Sequence, residues 1–395
     1  MQSITSANVS GKRVLVRVDF NVPLDGEGNI TDDKRIRGAL PTINHILENG
    51  GSAVLMSHMG RPKGEVNPKL SLGQIVSHLS SLLDVAVKFA GDCVSEEARA
   101  MTADLQPGEV VLLENLRFDK REKKGDEEFA ELLSQHGDVY VNDAFGTAHR
   151  AHASTTIVAK FYEEKYAGFL LEKEIVTAGK VMENPQRPFT AIMGGAKVSD
   201  KIQIIQRLLD KVDNLLIGGG MAYTFLKAKG NEIGTSLCEN EKVALAAALL
   251  KSARAKGVTI LVPVDSVAAD KFAVDANTAV VRNNQFPKDM MGLDIGPETF
   301  EHYHKVIMES GTILWNGPMG VFEMEPFATG TVAVANALTE ATKEKGTFTL
   351  IGGGDSAAAI AKAGLENDVS YVSTGGGALL ELLEGKELPG VAALS

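Results

Sequence analysis

The stretch TLIGGGDSAAAI, residues 349–360, runs from a strand-like apolar segment through three glycines into a helix-like segment. YVSTGGGALLEL at 371–382 repeats this arrangement, and NLLIGGG at 214–220 places three glycines after another strand-like segment. Glycines have no Cβ to hold a ligand away from the backbone, and a helix start offers unpaired N–H groups and the positive end of a dipole. The three stretches predict a parallel α/β fold with loops that bind phosphate groups.

Short β-branched segments alternate with helix-patterned segments along the whole chain, which is typical of βαβ units. We therefore predict an α/β fold of two doubly wound parallel-sheet, Rossmann-like domains separated by a cleft with a helical hinge. The predicted strands are residues 13–18, 53–56, 110–113 and 139–141 in the first half, and 190–193, 215–217, 259–262, 312–315, 348–351 and 371–372 in the second.

The length of 395 residues favours two domains over a single core. A helix-compatible segment at about 170–183 ends before Asn184-Pro185 and Arg187-Pro188, where proline keeps the preceding residue out of a helix. We predict a first domain over 1–170, a helical linker over 171–188, a second domain over 189–380, and a tail, 381–395, that returns to the first domain.

Composition excludes several classes of partner. The net charge of −11 argues against a surface for nucleic acid or for an anionic membrane, so any phosphate site must be local. No apolar run approaches the roughly 18 residues needed to span a bilayer, and no basic-then-apolar signal opens the chain. Two distant cysteines, Cys93 and Cys238, favour a reducing compartment, and we expect both to be buried. These features predict a cytoplasmic protein.

Polar and basic residues follow four predicted strands in the first half, and their arginines and histidines could form one anion site. In open α/β sheets ligands lie beyond the carboxyl ends of strands. Each residue taken alone could be a turn cap or a solvated side chain, but the repetition favours one basic anion site. Arg35 could join that site or pair with Asp32 or Asp33. The candidates at the strand ends are Asp19, Asn21, His58, Arg61, Arg117 and Arg150, with His149 and His152 beside the last.

The second half offers residues for nucleotide phosphates and their metal. Lys197 and Lys201 follow two glycines and would share a helix face if the helix begins that early, although solvated lysines are the alternative. Asp355 could hold Mg²⁺ on phosphate oxygens or serve as a helix N-cap. Glu323 could accept hydrogen bonds from ribose hydroxyls or could be a solvated acid.

Several signatures are absent. The chain has no GxxxxGK[ST] loop, no protein-kinase motif set and no convincing nucleophile, which favours direct transfer between bound ligands. A nucleotide-binding sensor without turnover is an alternative. A dehydrogenase would need GxGxxG after the first strand, where Asp19-Phe20-Asn21 stands instead.

Ten motifs in order resemble the phosphoglycerate kinase family over essentially the whole chain. The substrate-side motifs are RVDFNVP at 17–23, RIRGALPTI at 35–43, HMGRPKG at 58–64, ENLRF at 114–118 and NDAFGTAHRAHAS at 142–154. The nucleotide-side motifs are MGGAKVSDKI at 193–202, IGGGMAYTF at 217–225, WNGPMGVFE at 315–323, GGGDS at 352–356 and STGGGA at 373–378.

The resemblance implies a glycolytic kinase. Its reaction would be the reversible, Mg²⁺-dependent transfer of the acyl phosphate of 1,3-bisphosphoglycerate to ADP, giving ATP and 3-phosphoglycerate by in-line transfer. The family further implies Mg-ADP and Mg-ATP as the bound nucleotides, a monomer, and closure of the two domains about the linker during the reaction.

The resemblance also assigns residues. For the triose it implies Asp19, Phe20, Asn21, Arg35, His58, Met59, Gly60, Arg61, Arg117 and Arg150, with Arg35 also at the reacting centre. For the nucleotide it implies Lys197, Lys201, Gly219, Gly292, Asn316, Pro318, Glu323, Gly352, Gly353, Gly354, Asp355 and Ser356. Asp355 would hold the metal, and Lys197 and the amides of Gly375 and Gly376 would stabilise the phosphoryl group in transfer.

Overall fold

A computed structural model describes all residues from 1 to 395, and the chain divides into two compact units. Unit 1 contains Met1–Val176 and Lys386–Ser395, and unit 2 contains Thr177–Gly385. The helix Phe169–Glu183 spans the division along the chain, within one residue of the helix expected from the sequence. No helix has the combination of length and apolar character that a membrane span requires.

Unit 1 is built on a six-stranded parallel sheet in the order β3-β4-β2-β1-β5-β6. Its central strands are buried along their whole length, as expected for a parallel sheet covered by helices on both faces. The strands are β1 Arg13–Arg17, β2 Ser52–Met56, β3 Val87–Ala90, β4 Val110–Leu113, β5 Val139–Asn142 and β6 Lys165–Ala167.

The helices of unit 1 are α1 Lys34–Glu48, α2 Val76–Leu83, α3 Glu96–Ala103, α4 Lys120–Lys124, α5 Glu127–Ser134, the spanning helix α6 Phe169–Glu183, and α14 Pro389–Ala392 in the tail. Valine, isoleucine and leucine side chains from the sheet pack against α1 and α2 in the main core of this unit.

Unit 2 contains a second six-stranded parallel sheet, in the order β15-β14-β13-β7-β8-β9. Its strands are β7 Phe189–Met193, β8 Asn214–Ile217, β9 Thr259–Leu261, β13 Thr312–Asn316, β14 Phe348–Gly352 and β15 Tyr371–Val372. Its helices are α7 Ile202–Leu208, α8 Met221–Ala228, α9 Val243–Ala255, α10 Pro297–Glu309, α11 Thr329–Lys345, α12 Gly354–Lys362 and α13 Gly377–Leu383.

The prediction of two parallel α/β sheets is confirmed, and all ten expected strands are present. Two short edge strands, β3 and β6, were not expected. They have four and three residues, and β3 has an exposed position, so neither carries a continuous apolar run.

A three-stranded antiparallel sheet in unit 2 was also not expected. Its strands are β10 Asp265–Ala269, β11 Thr278–Arg282 and β12 Met291–Ile295, in the order β11-β10-β12. Four of the five residues of β11 are exposed, so the burial alternation that would reveal a strand from its sequence is absent.

Candidate active site

The four strand ends that carry the predicted anion-binding residues are neighbours in the first sheet. Strands β4, β2, β1 and β5 lie side by side in that order, and all run parallel. Their carboxyl ends therefore lie at one edge of the sheet, which is where a ligand binds in this type of fold. The sequence could indicate each residue, but only the strand order shows that the four ends adjoin.

Part of this edge forms a basic pocket of about 390 Å³. Three of the predicted residues, Arg61, Arg117 and Arg150, line it together. Lys63 and Lys123 add two cationic groups that were not predicted, although Lys63 lies within the HMGRPKG motif. Lys63 has a φ of 61°, a left-handed conformation that is uncommon for a lysine. The pocket suits a small ligand with several negative charges.

Asp19 and Arg35 form an ion pair at this edge. Arg35 Nη1 donates to Asp19 Oδ2 at 2.9 Å. The alternative partners of Arg35 are engaged elsewhere, since Arg37 Nε binds Asp33 at 2.9 Å and Asp32 pairs with Lys34. The structure therefore brings Arg35 to the strand-end residues.

Backbone groups of the β2 loop are held by two of the predicted side chains. The Gly60 N–H donates to Asn21 Oδ1 at 2.8 Å, and Arg117 Nη1 donates to the Gly60 carbonyl at 2.8 Å. The Met59 N–H donates to Asn115 Oδ1 at 3.1 Å, while Phe20 is buried and its N–H donates to Ser57 Oγ at 2.8 Å. These hydrogen bonds fix the conformation of the loop, in addition to any role of the same residues in binding a ligand.

Charges at this edge shift the pKa values of two buried groups. Burial alone raises the pKa of Asp19, but the His58 ring and the Arg35 and Arg17 guanidiniums bring it below the ordinary value. Burial, together with Arg17 and Arg117, lowers the pKa of His58 well below its usual range, against the opposing effect of Asp19. The edge therefore combines an ionised Asp19 with a neutral His58 near pH 7.

The glycine loops of unit 2 also follow adjacent strands. Strands β15, β14, β13, β7 and β8 lie side by side and end, in that order, at Gly375–Gly377, Gly352–Gly354, Asn316–Pro318, Gly194–Lys197 and Gly218–Gly220. Helices begin at Gly354, Gly377 and Met221, as the sequence predicted for the first two loops.

A pocket of about 480 Å³ lies over part of this edge. It brings together Gly219, Gly292, Pro318, Glu323 and Asp355 of the predicted nucleotide residues. Phe272, Leu237 and Met291 supply apolar wall that was not predicted. A pocket whose lining combines apolar side chains, the Glu323 and Asp355 carboxylates and glycine backbone suits a nucleotide.

Lys201 and Asn316 meet beside this pocket, where the ammonium of Lys201 donates to Asn316 Oδ1. Burial lowers the pKa of Lys201, and the Asp355 carboxylate opposes that effect. Ser356 Oγ accepts from the Gly317 N–H at 2.6 Å, so it supports the neighbouring loop.

The condition for Lys197 and Lys201 to share a helix face, an early helix start, is not met. Helix α7 begins at Ile202, so both lysines lie in the loop before it. The loop is instead held by Glu239, which accepts from the Ser199 N–H at 3.0 Å and from the Ser199 hydroxyl at 2.5 Å. Asp355 is in the first turn of α12, whose N-cap is Gly353, so the N-cap alternative is also wrong.

The cysteine expectation is correct for one residue only. Cys93 is buried and its thiol donates to the Glu114 carbonyl at 2.8 Å, and burial raises its pKa well above the ordinary value. Cys238 is half-buried beside Thr224. No cluster of three or more His, Cys, Asp or Glu side chains suited to a metal ion occurs in the chain.

Comparison with known proteins identifies relatives over the full length. The family model described as Phosphoglycerate kinase matches residues 4–386. Among curated proteins, the phosphoglycerate kinase of Prosthecochloris aestuarii is 56% identical over 397 residues and that of Chlorobaculum tepidum is 55% identical, with complete coverage of both chains in each case.

Solved structures show the same relationship. The phosphoglycerate kinase of Coxiella burnetii superposes with a TM-score of 0.90 at 42% identity, covering 99% of this chain and 98% of the other. The enzyme of Pyrococcus horikoshii gives a TM-score of 0.82 at 34% identity, covering 100% of this chain and 98% of the other.

Proposed function

The chain belongs to the phosphoglycerate kinase family and is a kinase of glycolysis, and we propose that it moves the acyl phosphate of 1,3-bisphosphoglycerate onto ADP. The products would be ATP and 3-phosphoglycerate, so that the acceptor in the reverse direction is a carboxyl group. The observation that carries this proposal is the pair of sheet edges, one lined by arginines and the other by glycine loops.

In this proposal the basic edge of unit 1 binds the triose. Arg61, Arg117 and Arg150 line a pocket where planar guanidiniums can each donate two hydrogen bonds to a phosphate or carboxylate. Arg35, held by Asp19, would reach the carboxyl oxygens at the reacting centre. Five cationic residues around one pocket favour a ligand that carries both a phosphate and a carboxylate.

The glycine edge of unit 2 would bind the nucleotide. Gly219 and Gly292 line the pocket, and neither position can take a side chain without a shift of its neighbours, because an added Cβ would meet the Gly195 and Pro318 backbone at Gly219 and the Tyr223 ring at Gly292. Glu323 lies in the same pocket and offers an acceptor to ribose hydroxyls. Lys201 and the loops at Gly352–Gly354 would bind the phosphates.

Asp355 fits a role in holding Mg²⁺ that arrives with the nucleotide. Its carboxylate lies on the pocket wall, and Mg²⁺ commonly takes one or two carboxylates plus phosphate oxygens. When bound, the ion neutralises charge on the phosphates. Lys201, whose ammonium is near Asp355, would add a second positive charge beside them.

Transfer of the phosphoryl group would depend on positioning rather than on covalent chemistry of the protein. We propose that Lys197 and the Gly375 and Gly376 amides neutralise charge on the phosphoryl group as it moves. Direct transfer requires the two substrates to meet, and we propose a movement about helix α6 as the means.

A coupled assay tests the proposal. The full chain is mixed with ADP, Mg²⁺ and 1,3-bisphosphoglycerate, and ATP is measured; omission of Mg²⁺ or replacement of ADP by NADH provides the controls. We expect ATP only in the complete mixture. Nucleotide binding without ATP formation would favour the sensor alternative, and NADH oxidation would favour a dehydrogenase.

We further propose a cytoplasmic monomer that binds neither nucleic acid nor membrane. The net charge of −11 and the scarcity of cysteines support this proposal. Sedimentation of the purified chain tests the monomer, with a dimer as the contrary result.

A further inference from the structure

Four polar residues lie in a row behind the basic edge of unit 1. They are Arg17, His58, Glu122 and Ser154, with exposed fractions of 1%, 3%, 1% and 0%. Burial of two charged side chains is costly unless each is paired and hydrogen-bonded. Each hydrogen bond in the row therefore has an identifiable donor and acceptor.

The row begins at the Glu122 carboxylate. Oε1 accepts from the Ser154 hydroxyl at 2.6 Å, and Oε2 accepts from the Ser154 N–H at 3.0 Å. Acceptance at both oxygens is the arrangement of an ionised carboxylate. Since the Ser154 hydroxyl hydrogen is used on Glu122, its oxygen is left to accept, and Arg17 Nε donates to it at 2.8 Å.

The row ends at His58. Arg17 Nη2 lies 3.1 Å from His58 Nδ1, and Arg17 Nη1 donates to the Val18 carbonyl. A guanidinium only donates hydrogen bonds. His58 Nδ1 must therefore accept, and the hydrogen of the neutral ring is on Nε2.

We propose that Glu122, Ser154 and Arg17 are positioning residues that hold His58 in its Nε2–H tautomer, so that His58 presents a hydrogen-bond donor to the anionic triose. This inference rests on the proposed function, because it assigns His58 a triose anion as partner. The three residues act through His58 and need not touch the substrate themselves.

The tautomer matters because His58 is neutral. Burial lowers its pKa well below the usual range, and the Arg17 and Arg117 charges act in the same direction. A neutral imidazole can offer either an N–H or a lone pair at Nε2. A lone pair would repel a phosphate or carboxylate oxygen, whereas an N–H binds it, so the orientation set by Arg17 determines whether the ring helps or hinders binding.

Unit 1 contains a second buried histidine that serves as an internal reference. His136 Nε2 lies 2.7 Å from the Cys93 carbonyl, which can only accept, and His136 Nδ1 lies 2.7 Å from the Thr102 hydroxyl. His136 therefore has the same Nε2–H tautomer. Neither His136 nor Thr102 is hydrogen-bonded to Arg17, His58, Glu122 or Ser154.

The first experiment is nitrogen-15 NMR of the histidine-labelled wild-type chain. Long-range nitrogen–proton correlations distinguish the two neutral tautomers and the charged ring, and His58→Gln and His136→Gln variants assign the two signals. We expect both residues as Nε2–H at pH 7. An Nδ1–H or charged His58 would overturn the proposal. This measurement requires no substitution at Arg17, Glu122 or Ser154.

The second experiment compares Ser154→Ala with Thr102→Ala. Ser154→Ala should give His58 a mixture of tautomers and raise the KM for 3-phosphoglycerate by about three- to tenfold, the effect of one lost hydrogen bond, with the KM for ATP unchanged. Thr102→Ala should alter the His136 signal alone. An unchanged His58 signal and KM in Ser154→Ala would show that Ser154 is not one of the residues that position His58.

Arg17→Lys gives a further measurement if Ser154→Ala does not fold. A lysine keeps the charge but cannot donate to Ser154 and His58 with a planar fork, so the His58 tautomer should again become mixed. A wild-type chain with His58 as Nε2–H but no phosphotransfer would contradict the proposed function and leave the tautomer assignment standing. An active enzyme with the opposite tautomer would contradict only the inference.

Discussion

Replacing Gly219 with alanine should damage specifically the unit 2 pocket that we propose for the nucleotide. Gly219 has a φ of 68°, and an added Cβ would lie 2.6 Å from both the nitrogen and the oxygen of Gly195 and 2.9 Å from the Pro318 oxygen. All three atoms belong to backbone that lines or adjoins the pocket, so the contact cannot be relieved by rotation of a side chain.

The expected loss of unfolding free energy in Gly219→Ala has two parts. A left-handed alanine costs about 1–2 kcal/mol relative to the glycine it replaces. The backbone contacts add about 1–3 kcal/mol of overpacking. Gly346 provides the matched control, because its φ is 67° and nothing lies within 4 Å of its added Cβ. Gly346→Ala should therefore lose only the first part.

The assay combines urea unfolding of the full chain with steady-state kinetics. Gly219→Ala should lose more unfolding free energy than Gly346→Ala and raise the KM for ADP at least tenfold, because relief of the overlap displaces the Gly195 or Pro318 backbone. Gly346→Ala should leave that KM unchanged. Equal KM values in the two variants would refute the argument that Gly219 is required by close packing under the nucleotide.

Three further predictions concern charge. Lys197→Ala should lower turnover by about 10² or more while nucleotide affinity stays within about tenfold, as for a lost transition-state contact, whereas Lys345→Ala, another exposed lysine, should be neutral; near-normal kcat would remove Lys197 from its role. Glu239→Ala should raise the KM for ADP about fivefold because the Ser199 loop loses two hydrogen bonds. An unchanged KM would show that the loop keeps its conformation without Glu239. Burial raises the pKa of Asp143 to about 7, so its ionisation in the unfolded chain lowers stability as the pH rises from 4 to 7, and Asp143→Asn should remove that loss, as measured by urea unfolding at both pH values.

The strand ends could be predicted from the sequence because each depends on a local pattern. A buried parallel strand is a continuous apolar run, and the residue that ends the run is visible beside it, as with His58 after β2 and Arg117 after β4. The order of the strands is not local, and without it the convergence of the arginines was a hypothesis based on repetition.

Predictions that depended on the residue at which a helix begins were less successful. Lys197 and Lys201 have the spacing of one helix face, but the first helical residue is Ile202. The turn at 198–201 is held by Glu239, which lies 40 residues away in the chain. No pattern within the loop encodes that partner, so its effect on the start of the helix could not be read from the loop.

The buried row of Arg17, Glu122 and Ser154 behind His58 was even less predictable from the sequence. Arg17 lies 137 residues from Ser154 and 41 residues from His58 in the chain. In the sequence Arg17 is one more basic residue in an apolar strand, and only its burial and its acceptors show what it does. Motifs therefore indicated the groups that we propose face the ligand, while the groups that we propose orient them required the structure.

The end of the chain contributes to the basic edge as well. The Gly390 N–H donates to the Ala148 carbonyl at 2.8 Å, and Asn142 Nδ2 donates to the Gly390 carbonyl at 3.4 Å, so the tail packs on the loop that leads to Arg150. An added Cβ at Gly390 would lie 3.1 Å from Ala148 backbone. Contacts between positions this distant in sequence carry a loop-closure cost that slows folding. Because the last ten residues belong to unit 1, the loop that leads to Arg150 gains its tail contacts only after the intervening unit has been synthesised.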